Sequence, residues 1–176
     1  MKSSWKFVAA WLLLGTTATW AQSSSGLALS SDKPVQINGD TFEILEDQAL
    51  AIFTGSVVVV QDDTVLRTSK LTIHYDQSGD SSGASISSGG ADIDRLVATG
   101  GVNIQSGLQT ATGDVGTYDM KSEIMVLSGD RVTLSEDGTV ATGCKLTVTT
   151  ANNRAKLEGC SGSSRPTVLI QPRNSN

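Results

Sequence analysis

The chain has 176 residues, 38% of them hydrophobic and only 5% aromatic, with 13 basic and 18 acidic side chains. Taking Lys2 and Lys6 away with an export segment leaves 11 basic residues and a net charge of −7. That balance argues against a nucleic-acid partner, which needs clustered Lys and Arg to neutralise phosphates, and against electrostatic docking on an anionic membrane.

The first 21 residues have the layout of a cleaved signal peptide. Lys2 and Lys6 precede a short apolar core, and Thr19-Trp20-Ala21 places small residues at −3 and −1 of a cleavage site after Ala21. The apolar core is shorter than the roughly 18–20 residues a spanning helix needs. Residues 22–33 are Ser-rich and read as a flexible leader. The main domain is expected over residues 34–160, followed by an edge strand and tail over 161–176.

The first strand is expected at Pro34-Val35-Gln36-Ile37. Residues 40–53 fit two patterns. Phe42, Leu45, Ala49 and Ile52 can line a helix capped by Asp40; the same letters also read as two strands joined by a turn at Glu46-Asp47-Gln48. Local pattern does not choose between them.

From Phe53 the alternation is clearer. Phe53, Gly55, Val57 and Val59 share one face, while Val58 and Val60 make the other face apolar as well. Gln61-Asp62-Asp63-Thr64 is a turn, after which Leu71, Ile73 and Tyr75 alternate with Lys70, Thr72, His74 and Asp76. Strict alternation marks a strand with one wet face. Residues 77–91 are dominated by Ser and Gly and read as an inserted mobile loop. Strand patterning resumes at Ile93 and continues to Leu157.

Small residues recur in two interleaved series. Gly39, Ser69, Gly113 and Gly143 are spaced by 30, 44 and 30; Gly55, Gly100 and Gly129 by 45 and 29. A period near 30 with one insertion of loop size accounts for both series. Such periods mean stacked supersecondary units that bury an apolar face only against their neighbours. The glycines are read here as the starts of strand runs.

Catalytic chemistry has little support. His74 is the sole histidine and sits on the polar face of its strand. The acidic pairs Glu46-Asp47, Asp62-Asp63 and Glu136-Asp137 fall in turns, where they form turns more readily than an acid–base pair. No nucleotide-binding motif is present, no cofactor or metal is implied, and an enzyme is not expected.

The inward parity carries more. Phe53, Val57, Val59, Leu71, Ile73, Tyr75, Val102, Ile104, Tyr118, Val132, Leu134, Leu146 and Val148 should point to one interior. An ordinary packed core is one reading. A trough for saturated chains is the other, since aliphatic walls gain roughly 0.8 kcal/mol per buried methylene. In the trough reading, a charge at Val59 or Ile73 should weaken lipid binding without unfolding the chain.

Cys144 and Cys160 survive signal removal, and an exported chain with two cysteines usually pairs them. Pairing Leu146 with Leu157 and Val148 with Ala155 leaves the two cysteines one residue out of register. A bulge at Gly159, or a strand ending there, would reconcile the two.

Taken together, the layout resembles the lipopolysaccharide-transport periplasmic proteins, the OstA-like group to which LptA belongs. The matching pieces are Gly39-Asp40-x-x-Glu43-Ile44, Ala51-x-Phe53-x-Gly55-x-Val57, Tyr75-Asp76, Ala98-x-Gly100-x-Val102-x-Ile104, Thr110-Ala111-Thr112-Gly113-Asp114 and Tyr118-Asp119, then Gly129 to Leu134. The resemblance implies an open β-jellyroll of stacked two-strand repeats with lipid A acyl chains in its trough. It implies a carrier that bridges inner-membrane and outer-membrane transport components by edge-strand addition, and that can assemble head to tail with its own copies. Residues 34–37 and 167–170 would be the open edges. The 77–91 insertion departs from the compact family pattern. The acidic balance speaks against strong phosphate binding, although Arg67 and Lys70 could touch headgroups at a rim. Rival readings are a structural scaffold module of the cell envelope and an exported hydrolase.

Overall fold

The structure is a computed structural model and describes Leu27 and residues 33–76, 92–152, 154–160 and 164–171. The expected signal segment, most of the leader and the 77–91 loop lie outside the described residues. The described chain forms one antiparallel sheet: β1 Gln36–Asn38, β2 Thr41–Leu45, β3 Leu50–Gln61, β4 Thr64–Tyr75, β5 Ile93–Ser106, β6 Gln109–Asp119, β7 Ile124–Glu136, β8 Thr139–Thr149, β9 Arg154–Glu158 and β10 Thr167–Leu169. Neighbours run β1-β3-β4-β5-β6-β7-β8-β10, with β2 on β3 and β9 on β8. No pairing joins the two ends among the described residues, so the sheet stays open.

The ambiguous segment at 40–53 is strand, turn, strand. β2 pairs with β3 across a 3₁₀ turn at Glu46–Gln48. Strands win because each of these residues finds a ladder partner in β3, whereas a lone amphipathic helix would leave the edge of β3 unpaired. Phe42 consequently misses the interior; it is 55% exposed and stacks on Phe53 at 4.5 Å between ring centroids.

Short turns close one end of the hairpins. Asp62 and Gly107 each lead a turn with positive φ, and Asp137 and Gly138 both have positive φ. The last pair is the combination a type I′ turn requires, and its twist matches that of the strands it joins.

Gly39 lies between β1 and β2, just ahead of a strand as expected, but Gly55, Ser69, Gly100, Gly113, Gly129 and Gly143 do not open strand runs. They sit inside the long strands and form one crease across the sheet. Ladder register shifts at Thr54/Val57, Thr68/Lys70, Thr99/Val102, Thr112/Val115 and Ser128/Val132, each beside one of these small residues. An extra residue in one strand of a pair bends that strand and sharpens its twist. Repeated along a line, the bends fold the sheet over on itself.

Local contacts lock the crease. Ser69 Oγ donates to the Gly100 carbonyl at 2.7 Å, and Thr68 Oγ1 donates to the Thr99 carbonyl at 2.8 Å. The Asp130 amide donates to Asp114 Oδ2 at 2.9 Å, and the Asp40 amide to the Gly55 carbonyl at 3.0 Å. Gly100 and Gly101 both hold φ +83°, but a Cβ at Gly100 would lie 2.7 Å from Ser69 Cβ, whereas one at Gly101 would meet nothing within 4 Å. Gly101→Ala should therefore cost about 1 kcal/mol for the left-handed backbone alone. Gly100→Ala should cost about 2–3 kcal/mol, backbone strain and clash together. Urea unfolding of both variants measures the difference, and equal losses would refute the close approach at Ser69.

Folding over brings the two halves' inner faces together. Leu71, Leu127, Leu146, Val57, Val59 and Val132 are essentially fully buried in one continuous aliphatic core.

Candidate functional site

The interior is a seam between the two halves of the folded sheet. On one side of the crease, hydrogen-bonded rows bring Ala51, Ile73, Leu96, Tyr118, Met125 and Val148 side by side, and next to them Phe53, Leu71, Ala98, Gly116, Leu127 and Leu146. On the other side lie Ile37, Val59, Leu66, Ile104, Ala111 and Leu134. Gly116 is tightly packed: a Cβ there would stand 3.1 Å from Cδ2 of its ladder partner Leu127 and 3.3 Å from Cγ1 of Val102 beyond the crease.

All thirteen inward residues expected from the alternation belong to this core or pack against it. Val57, Val59, Leu71, Ile73, Val102, Ile104, Tyr118, Val132, Leu146 and Val148 are buried; Phe53, Tyr75 and Leu134 are partly buried against them. Burial at Val59 (1% exposed) and Ile73 (3%) revises one expectation. A charge at either position loses its hydration inside a closed core, so the fold suffers along with any ligand.

Alternation alone missed Leu66, Ala111, Met125 and Leu127, and the crease is the reason. Counting back from Val132 and Leu134 in steps of two reaches Ser128 and Val126, not the buried Leu127 and Met125. The extra residues around Gly129 change which parity faces inward. The same slip at Ser69 hides Leu66, and the one at Gly113-Asp114 hides Ala111. Read as parity breaks, Ser69, Gly113 and Gly129 would have recovered these residues, whereas the inward parity holds across Gly55 and Gly100.

The two ends of the seam differ. At the tight-turn end the apolar rows finish in a buried polar layer. Thr64 Oγ1 donates to Ser106 Oγ at 2.9 Å, and Gln61 Nε2 donates to the Lys33 carbonyl at 2.9 Å. With their polar atoms partnered, these groups close that end at little cost. At the other end, Lys121 reaches Asp76 at 2.8 Å and Asp94 at 3.4 Å. These contacts raise the Lys121 ammonium, the Asp76 hydrogen bond most; the pairs are exposed and water screens them. Burial pushes the Tyr75 phenol above its usual range, and the Glu46 charge adds to it.

Among the described residues the seam is tightly packed. The cavity within it measures about 30 Å³ and is lined by both halves. That is room for about one water molecule, an order of magnitude below the roughly 300–1,000 Å³ of an ordinary ligand pocket. Arg67 and Lys70, weighed as rim cations, pair on the outer face or at the crease and are exposed.

Cys144 and Cys160 are joined, with Cα atoms 4.9 Å apart. The register conflict resolves by the second of the two routes: β9 keeps Leu146↔Leu157 and Val148↔Ala155 and ends at Glu158, so Cys160 is free of the ladder. Among the described residues no group of three or more His, Cys, Asp and Glu side chains could hold a metal ion.

The class these features define is an open antiparallel sheet, folded along a crease around an apolar seam, with two short strands at each edge. Residues 36–154 match the family model described as LptA/(LptD N-terminal domain) LPS transport protein. An uncharacterized protein of Rhizobium meliloti is 39% identical over 162 residues, spanning 90% of this chain and 84% of that one. The lipopolysaccharide export system protein LptH of Pseudomonas aeruginosa is 38% identical over 71 residues, 39% of this chain and 40% of that one. The crystal structure of LptH, the LptA-homologous periplasmic component of the lipopolysaccharide transport device of Pseudomonas aeruginosa, superposes with a TM-score of 0.64. That match covers 81% of this chain and 98% of LptH at 21% identity, and establishes the shared open β-jellyroll fold. The chain belongs to the LptA/LptD N-terminal domain family of lipopolysaccharide transport proteins.

Proposed function

We propose that this chain is a periplasmic lipopolysaccharide carrier and bridge. It is exported by a signal peptide over residues 1–21 cleaved after Ala21, and residues 34–160 hold lipid A acyl chains between the halves of the folded sheet. The observation that carries this reading is the apolar, mainly aliphatic seam in a sheet left open at both edges, within a lipopolysaccharide transport family. The thirteen inward residues named above are the proposed acyl contacts.

The chemistry is binding without a catalytic step. A saturated chain entering the seam replaces aliphatic contacts with aliphatic contacts, and its gain is the methylene surface taken from water. The cavity among the described residues is only about 30 Å³, so an acyl chain gains room as the halves part, with the bulged crease as the hinge the fold offers. The carrier holds its cargo reversibly, so forward movement draws on an energy source elsewhere.

The edges supply the bridge. β1 and β10 each pair on one side only, and Val35, Val168, Leu169 and Ile170 are exposed beside them. Unpaired strand edges with apolar side chains invite a further strand. Inner-membrane and outer-membrane transport components, or copies of this chain joined head to tail, are the proposed partners.

The filled seam also suits a scaffold with an ordinary core. Purification from membrane-containing cells followed by mass spectrometry separates the readings. Lipopolysaccharide is expected to co-purify with the folded protein. Its consistent absence, with no uptake of added lipopolysaccharide, would leave the scaffold.

A further inference from the structure

One residue of the seam comes from outside the sheet. Leu27 is only 4% exposed and lies in the same cavity as Val59, Leu66, Leu71, Leu96 and Ile104. Its place in the Ser-rich leader gave no sign of this, because no alternation surrounds it. We propose that Leu27 is a resident occupant of the trough, holding the place of an acyl chain until lipid displaces it. The inference rests on the carrier reading.

The leader's attachment suits such a role. Gln61 Nε2 donates to the Lys33 carbonyl, and Lys33 Nζ lies 2.6 Å from Asp62 Oδ2. Both contacts fasten the chain at the tight-turn end of the seam. The six steps from Lys33 to Leu27 reach about 20 Å at most. Leu27 itself offers only one short side chain to the aliphatic walls. A long acyl chain buries many more methylenes in the same place and wins, whereas short amphiphiles do not. The device keeps the aliphatic walls from water between cargoes and admits only ligands that bury more than a leucine.

The test uses the full exported chain. Leu27→Cys places a single free thiol, since Cys144 and Cys160 are bonded to each other. Alkylation by a maleimide should be slow without lipid and about tenfold faster with purified lipopolysaccharide, bound lipid being followed by gel filtration. Leu27→Ser, checked for fold by circular dichroism, should bind lipopolysaccharide about tenfold tighter, because the binding-competent state no longer competes with the plug. A thiol that stays protected while lipopolysaccharide is bound overturns the plug and leaves the carrier. So does fast alkylation without lipid, or a Leu27→Ser chain that unfolds or binds more weakly. If wild-type protein takes up no lipopolysaccharide, the carrier reading fails and the plug falls with it.

Discussion

Leu71→Ala is expected to lower stability by about 3 kcal/mol, a fall in Tm of roughly 6–12 °C for a chain of this size. Leu71 is 1% exposed and lines the cavity between the halves, paired with Phe53 on one side and Ala98 on the other. Removing its branch leaves a void that ladder strands on both sides hold open. The same void is new room where an acyl chain is proposed to lie. Added lipopolysaccharide should therefore raise the Tm of Leu71→Ala more than that of the wild type, because a ligand that binds only the folded state stabilises it in proportion to its affinity. Thermal unfolding followed by circular dichroism, with and without lipopolysaccharide, reads both effects. A loss below about 1 kcal/mol would show that the halves do not pack on Leu71. A large loss with no extra gain from lipid would leave the packing intact and remove Leu71 from the acyl site.

Breaking the disulfide is expected to cost about as much. Cys144 and Cys160 are 16 residues apart, and a closed loop of that length restricts the unfolded chain by about 3 kcal/mol. The bond lies at the crease, where Gly143 packs against Leu157: a Cβ on the glycine would come within 2.9 Å of Leu157 Cγ. It also fixes the chain just before β10, the edge strand at Thr167–Leu169. Paired Cys144→Ser and Cys160→Ser substitutions should unfold at lower urea. Amide exchange should quicken in β9 and β10 while β5 stays protected. Uniform quickening would mean that the bond supports the whole sheet; unchanged exchange at β10 would mean that its three ladder pairs with β8 suffice.

Much of the fold was legible in the residues because it is local. Alternation marked the strands, the acidic pairs marked turns, and the expected edges at residues 34–37 and 167–170 became β1 and β10. The thirteen inward residues follow from a period of two, which any strand obeys between its irregularities. Even the spacing of the small residues was visible, and so was the family it resembles.

Their role was not. A glycine that starts a strand and a glycine that bends one look alike until neighbouring strands are in place, since a bulge exists only relative to its partner. Tertiary structure decided that the small residues share one crease, and the crease decided that the inward parity changes across it in β4, β6, β7 and β8 but holds in β3 and β5. That is why Leu127 and Met125 are buried where simple alternation left them out. It is also why Leu27, with no pattern around it, lies in the core. The sequence by itself determined the strands, turns, edges and aliphatic character of this protein, because those depend on residues close together in the chain. How nearly the interior is filled, and by which residues, depends on strands meeting across the fold, and only the tertiary structure decided it.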